Sequence, residues 1–239
     1  MKPRRVALGV TLWCTALAGS LPAQTALRTS PAAAPDTGVA PAALLRAGSL
    51  ADNLQDDIAA SRWELAQEKL FALQRLQPVL DSLEETLEAR GVLTDRDAGP
   101  ELSACLGTLA DRLESHRRLP AQGSANAVGR ALLPLLAAFA PPARVALARL
   151  DVAGRDLDYA AERGSWDAAR DALKEIRGAY ATVQPDVVRQ APDLDATIQR
   201  RLSNLAGALD AHQHVRAHSL AGEFLEDVDL IQSTHAVDR

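Results

Sequence analysis

Trp63-Glu64-Leu65-Ala66-Gln67-Glu68-Lys69-Leu70-Phe71-Ala72-Leu73 and Trp166-Asp167-Ala168-Ala169-Arg170-Asp171-Ala172-Leu173-Lys174-Glu175-Ile176 are the two stretches that decide the fold. In each, an acidic residue follows the Trp, and Ala66, Leu70 and Leu73 match Ala169, Leu173 and Ile176 in spacing. Steps of three and four place these apolar residues in one stripe along an α-helix. The remaining Trp, Trp13, lies in what reads as a removable leader. The chain therefore reads as one helical module written twice.

Working outward, the first stripe continues through Leu76, Leu80, Leu83 and Leu87 and predicts a helix from Trp63 to Arg90, stopped by Gly91. Pro78 lies inside it and is expected to kink or break it. A preceding helix is expected over Leu44 to Ala60. A third covers Glu101 to Arg117, with Leu102, Leu106, Leu109 and Leu113 as its stripe. A loop around Pro120 to Ser124 leads to a fourth, Ala125 to Ala140, with Pro134 as a distortion. In the second half, helices are expected over Val145 to Arg163, ended by Gly164, and from Trp166 to Gln190, with Ser165 as N-cap.

The Trp pair is separated by 103 positions and the Gln-Pro steps, Gln77-Pro78 and Gln184-Pro185, by 107. The offset of four is close to one helical turn, so both matches hold on one face. Leu102, Leu106, Leu109, Leu113 and His116 match Ile198, Leu202, Leu205, Leu209 and His212, each pair 96 apart. Gly129, Leu132 and Leu135 match Gly222, Leu225 and Val228 at 93. Strand-forming residues are too sparse to propose a sheet. The expected fold is all-α: two copies of a four-helix, up-down-up-down bundle over 44–140 and 141–234.

Residues 1–23 read as a signal peptide. Lys2, Arg4 and Arg5 precede an apolar run from Val6 to Ala18, too short to span a membrane comfortably, followed by small and turn-forming residues to Ala23. Cys14 follows Trp13 rather than the small residue a lipidation site needs, so no lipid anchor is expected there. Residues 24–43, rich in Ala, Pro, Thr and Ser, read as a disordered tether. A periplasmic or secreted location follows, with no transmembrane segment after processing.

Loss of the leader takes the formal charge from −5 to −8. An acidic chain argues against nucleic acid and anionic lipid as partners. Arg117-Arg118 and Arg200-Arg201 read as solvated helix faces. Cys105, among Leu102, Leu106 and Leu109, reads as a buried apolar side chain rather than a nucleophile. The paired Trp read as core plugs.

The candidate chemistry lies in His212-Gln213-His214-Val215-Arg216-Ala217-His218. His214 and His218 share a helix face, and His212 is placed in the turn before that helix. Together the three could ligate Zn or Cu, with Asp210 as an added oxygen ligand. His116 and His212 each continue an apolar stripe and read as partly buried residues closing a bundle. Glu223, Glu226, Asp227 and Asp229 read as a solvated acidic face. Gly164-Ser165-Trp166 with Ala169 and Pro185 resembles a tetratricopeptide repeat only faintly, since the period here is about three times longer. The His-x-x-Glu signature of imelysin-like exported bundle proteins is absent, so only the architecture is shared with them. No acid-base pair or nucleophile set stands out. The expectation is a non-enzymatic, exported binding module with an envelope protein as partner, or alternatively an envelope metal-handling protein.

Overall fold

Apolar residues at helical spacing must find a common interior, and each stripe here does so. A computed structural model describes residues 40–93 and 101–237, with side chains through 233. The leader and most of the tether lie outside the described residues. Among the described residues are eight α-helices and no strand: α1 (Ala42–Ala59), α2 (Trp63–Ala89), α3 (Leu102–Glu114), α4 (Arg118–Phe139), α5 (Pro142–Glu162), α6 (Trp166–Gln190), α7 (Pro192–Asp210) and α8 (His214–Val237).

Their buried side chains form two clusters. One draws on α1–α4 and includes Leu54, Leu73, Leu109 and Leu132; the other draws on α5–α8 and includes Leu157, Ile176, Leu205 and Phe224. Within the first set α1 packs on α2 and α4, and α3 packs on α2 and α4; within the second, α5 packs on α6 and α8, and α7 on α6 and α8. The sets meet where α4 packs on α5, with Val152 buried against Gly129. Both α2 and α3 follow their expected stripes: Leu70, Leu73, Leu80 and Leu87 are buried, as are Leu102, Leu106, Leu109 and Leu113. Trp63, Leu76 and Leu83 are half-buried against the same cluster.

The turns between odd and even helices share one construction. Two residues beyond the ends of α1, α3, α5 and α7 stand Ser61, His116, Gly164 and His212, and all four have positive φ, between 49° and 67°. After α1, the Ser61 amide donates to the Ile58 carbonyl at 3.0 Å and the Arg62 amide to Asp57 at 2.7 Å. After α5, Gly164 donates to Ala161 at 3.0 Å and Ser165 to Ala160 at 2.8 Å. This paired closure satisfies carbonyls that a helix end leaves open, and it needs a left-handed residue after the last turn. Gly adopts that conformation freely and His more readily than most residues; Ser61 adopts it at a cost. The first turn is further tied by Asp57, buried on α1, which accepts from Arg62 at 2.7 Å and from Lys69 of α2.

Pro120 departs from expectation, and Pro78 does not break its helix. Pro120 does not lie in a loop: α4 already begins at Arg118 and includes it. A proline in the first turn forfeits only an amide that has no helical partner. Pro78 and Pro185 lie inside α2 and α6 without ending them. Both rings are on exposed positions, and the carbonyls they leave unpaired belong to Gln74 and Ala181, also exposed, where water can serve them. The paired Gln residues serve different ends. Gln77 donates within its own helix to Asp81 at 3.4 Å. Gln184 donates at 3.0 Å to Asp195 on α7, which also accepts the Tyr180 hydroxyl at 2.8 Å.

Replacing Ser61 with Gly should relieve the strained turn and raise stability by about 1 kcal/mol, whereas Gly164→Ser should lower it by about the same amount. Urea unfolding of the two variants checks both signs.

Candidate functional site

The expected metal residues occupy the turn before α8 and its first turns. His212 has φ 52°, so the chain leaves the α7 stripe at that residue and carries the imidazole onto Trp166. The rings stack at 4.9 Å between centroids and 8° between planes. His116 does the same on Trp63, at 5.2 Å and 14°. Both His are exposed rather than partly buried, because the left-handed turn ends the stripe one residue before it would enter the core. Both Trp are half-buried and packed on their clusters, with the outer ring face covered by His.

The three imidazoles have separate partners. Arg170 donates to His212 Nε2 at 3.1 Å, which places that ring's proton on Nδ1. Arg170 also pairs with Asp167 at 2.9 Å and with Asp210, the expected oxygen ligand, at 3.6 Å. His214 Nε2 donates to the Glu162 carbonyl at 2.8 Å, serving the last residue of α5. His218 Nδ1 meets Asp158 Oδ1 at 2.5 Å. His214 and His218 therefore do share one face, directed at α5, while His212 is engaged by α6. Among the described residues no three His, Cys, Asp or Glu side chains stand as a metal site would place them.

A different site lies along the α4–α5 pair. Its centre is Asn126, 3 % exposed. The carboxamide nitrogen donates to the Val152 carbonyl at 2.9 Å and to Asp156 at 2.6 Å, and its oxygen accepts from Gln55 of α1 at 3.2 Å. Arg130 extends the network from Asp156 to Glu175 of α6, at 3.0 to 3.1 Å. Two open cavities lie toward opposite ends of this pair.

The first, about 880 Å³, has apolar walls from Leu132, Leu136 and Leu147 and a charged rim of Asp52, Asp56, Asp151 and Asp229 around Arg155. Arg155 pairs with Asp151 at 3.0 Å and with Asp56 at 3.8 Å. Loss of hydration, then the Asp151 carboxylate, push the Asp52 carboxyl up to about 6; Arg155 opposes them, and Asp56 and Asp229 add to them. The second cavity, about 1000 Å³, brings Arg112, Arg117, Arg118 and Arg163 together from α3, α4 and α5. Arg117 and Arg118 are solvated, as expected, but they converge on a concave surface with Arg112 of α3 and with Arg163, which follows α5. Cys105 lines its wall; the side chain is buried, and burial pushes the thiol pKa up.

On the outer face of α2, Leu65, Phe71 and Val79 are 43 %, 63 % and 54 % exposed. At 3.6 residues per turn they fall within about a third of the helix circumference. Their counterparts on α6, by the Trp and Gln-Pro alignments, are Ala168, Lys174 and Asp186. Among the described residues no helix is long and apolar enough to cross a membrane. Comparison with protein-family models, curated proteins and solved structures gives no match.

Asn126→Ala leaves the Gln55 amide and one Asp156 oxygen without their buried partner and should cost about 2 kcal/mol. Gln77→Ala, which removes a long bond within one helix, should cost under about 0.5 kcal/mol; chemical denaturation compares them. For Asp52, folding tightens the hold on a proton, so its contribution to stability falls as pH rises from about 4 through about 6 and then levels off. The solvent access of Asp52 screens the size of this effect. The melting temperature of Asp52→Asn should exceed that of wild type by a margin that widens between about pH 4 and 6 and is constant above about 7. A margin that does not change with pH would show that Asp52 titrates normally.

Proposed function

We propose that the protein is an exported, non-enzymatic binding module of a bacterial-type cell envelope. It is built from two copies of one four-helix bundle and docks a partner protein on the outer face of α2. The observation that carries this reading is the difference between α2 and α6. A duplicated helix needs its inward stripe in both copies, and Leu70 and Leu73 recur as Leu173 and Ile176. Nothing in a bundle requires Phe71 on the outside, and Lys174 occupies the matching position. An exposed Phe, with Leu65 and Val79 on the same face, is the composition of a docking patch rather than of a solvated helix.

The duplication is supported by four left-handed turns at matching positions and by two Trp–His stacks. Export rests on the basic and apolar pattern of residues 1–23. The metal-handling alternative, with Zn or Cu on His212, His214 and His218, has only the His214–His218 spacing in its support. Docking on α2 is therefore preferred.

A photoreactive residue at position 71 in the full chain, expressed in envelope-bearing cells, should yield a discrete crosslinked adduct in the envelope fraction. The same residue at position 174 should yield none. Equal labelling from both positions, or adducts confined to the cytoplasm, would overturn the reading.

A further inference from the structure

We propose that the cavity between α3, α4 and α5 is a binding site for a small ligand bearing a phosphate group. The chain carries a formal charge of −5, yet this one cavity is lined by four arginines and by a single carboxylate, Asp156. That carboxylate is already engaged by Arg130 and by Asn126. The local field is therefore positive inside a molecule that is negative as a whole.

The arginines differ in how they are held. Arg118 pairs with Glu162 of α5 at 2.5 Å. Arg163 donates to the Tyr159 hydroxyl at 2.8 Å and lies 5.3 Å from the centre of that ring, so its guanidinium is fixed over an aromatic face. Arg112 and Arg117 have no carboxylate within ion-pair distance among the described residues, although both line the same cavity. Two fixed guanidiniums frame the site, and two others are available to an incoming anion. Arg groups present planar forks that match the oxygens of phosphate and carboxylate.

The backbone adds to this. Arg117 is the N-cap of α4, and the first turn of that helix holds no acidic residue and no side-chain cap. The uncapped amides at the start of α4 are those of Arg118 and Leu119, which line the cavity, since Pro120 has none; a helix start favours negative charge. Ser124 supplies a hydroxyl along the wall, while that of Thr108 donates to the Ala104 carbonyl at 2.9 Å. Ala104, Leu119 and Pro120 supply apolar surface, which suits a ligand with a short hydrocarbon part behind its anionic group. Gly123 allows the close approach of Tyr159: a Cβ there would stand 2.9 Å from the ring. That contact draws α4 and α5 together behind the arginines.

This site is separate from the α2 face and does not rest on the docking reading. The test uses the full chain, with inorganic phosphate and hexyl phosphate as probes and hexylammonium as the charge-reversed control, all at one ionic strength. Calorimetric titration should detect both phosphates, with hexyl phosphate the tighter, and should detect no binding of hexylammonium. The amide resonances of Gly123 and Ser124 should shift on addition. Arg112→Ser with Arg117→Ser, both at exposed positions, should weaken phosphate binding about tenfold or more while circular dichroism is unchanged. Arg144→Ser with Arg149→Ser, on α5 outside this cavity, should leave affinity unaltered. Binding that persists undiminished in the first double variant would overturn the proposal. So would equal loss in both, equal uptake of hexylammonium, or no phosphate binding at all. The last result would mean that Arg112 and Arg163 serve only to offset the negative ends of α3 and α5.

Discussion

Asn126 is a buried amide that must find partners on helices other than its own, and the arrangement of the molecule depends on where it finds them. Leaving such a group unpaired costs more than its bonds contribute. Its donors reach Val152 and Asp156 on α5, and its acceptor takes the Gln55 amide from α1. A slide of α5 by one turn, about 5.4 Å, would carry both acceptors out of reach. The hydrophobic contacts between α4 and α5 are non-directional and would tolerate several registers. The amide does not. Fixing α5 against α4 and α1 is what brings Arg163 beside Arg118 at one end and Asp151 beside Asp52 at the other. Both cavities are consequences of this register.

The eight helices were legible in the sequence because their information is local. A stripe such as Leu102, Leu106, Leu109 and Leu113 can form only one pattern of burial, and Gly91 and Gly164 mark left-handed ends that few other residues accept. The errors fell where local rules omit the solvent or the position along a helix. Pro120 read as a loop because a proline was weighed as a breaker, without the exemption of a first turn. Pro78 reads as a kink or break because its spacing does not record that the carbonyl it frees, on Gln74, faces water.

The site was less legible, for a different physical reason. His116 and His212 could be recognised as a pair, but their direction could not. The stripe rule assumes that the helix continues, and both residues turn left-handed at the point where it would have placed them inside. The partners of His214 and His218 lie on α5, more than fifty residues away, and no spacing records them. The arginine cavity draws Arg112, Arg117, Arg118 and Arg163 from three helices. Net charge argues against nucleic acid and anionic lipid as partners but says nothing of this cavity, because a sum over the chain does not register a concentration of like charges in one place.

The two halves agree where the backbone is constrained and differ where it is not. Ser61 and Gly164 occupy matching turns although one is strained there, which shows that the turn conformation dominates the residue's preference. Trp63 and Trp166 each pack on a buried cluster and carry a stacked His on the outer ring face. By contrast, Phe71 faces outward where Lys174 stands, and Arg117-Arg118 at the start of α4 corresponds to Gln213-His214 at the start of α8. The packing of a bundle imposes neither pair. At the first of these helix starts the adjoining groups are arginines from α3 and α5; at the second, His214 is spent on the end of α5 itself. One helix start is thus left open to an anion, and the other is used to hold the fold together.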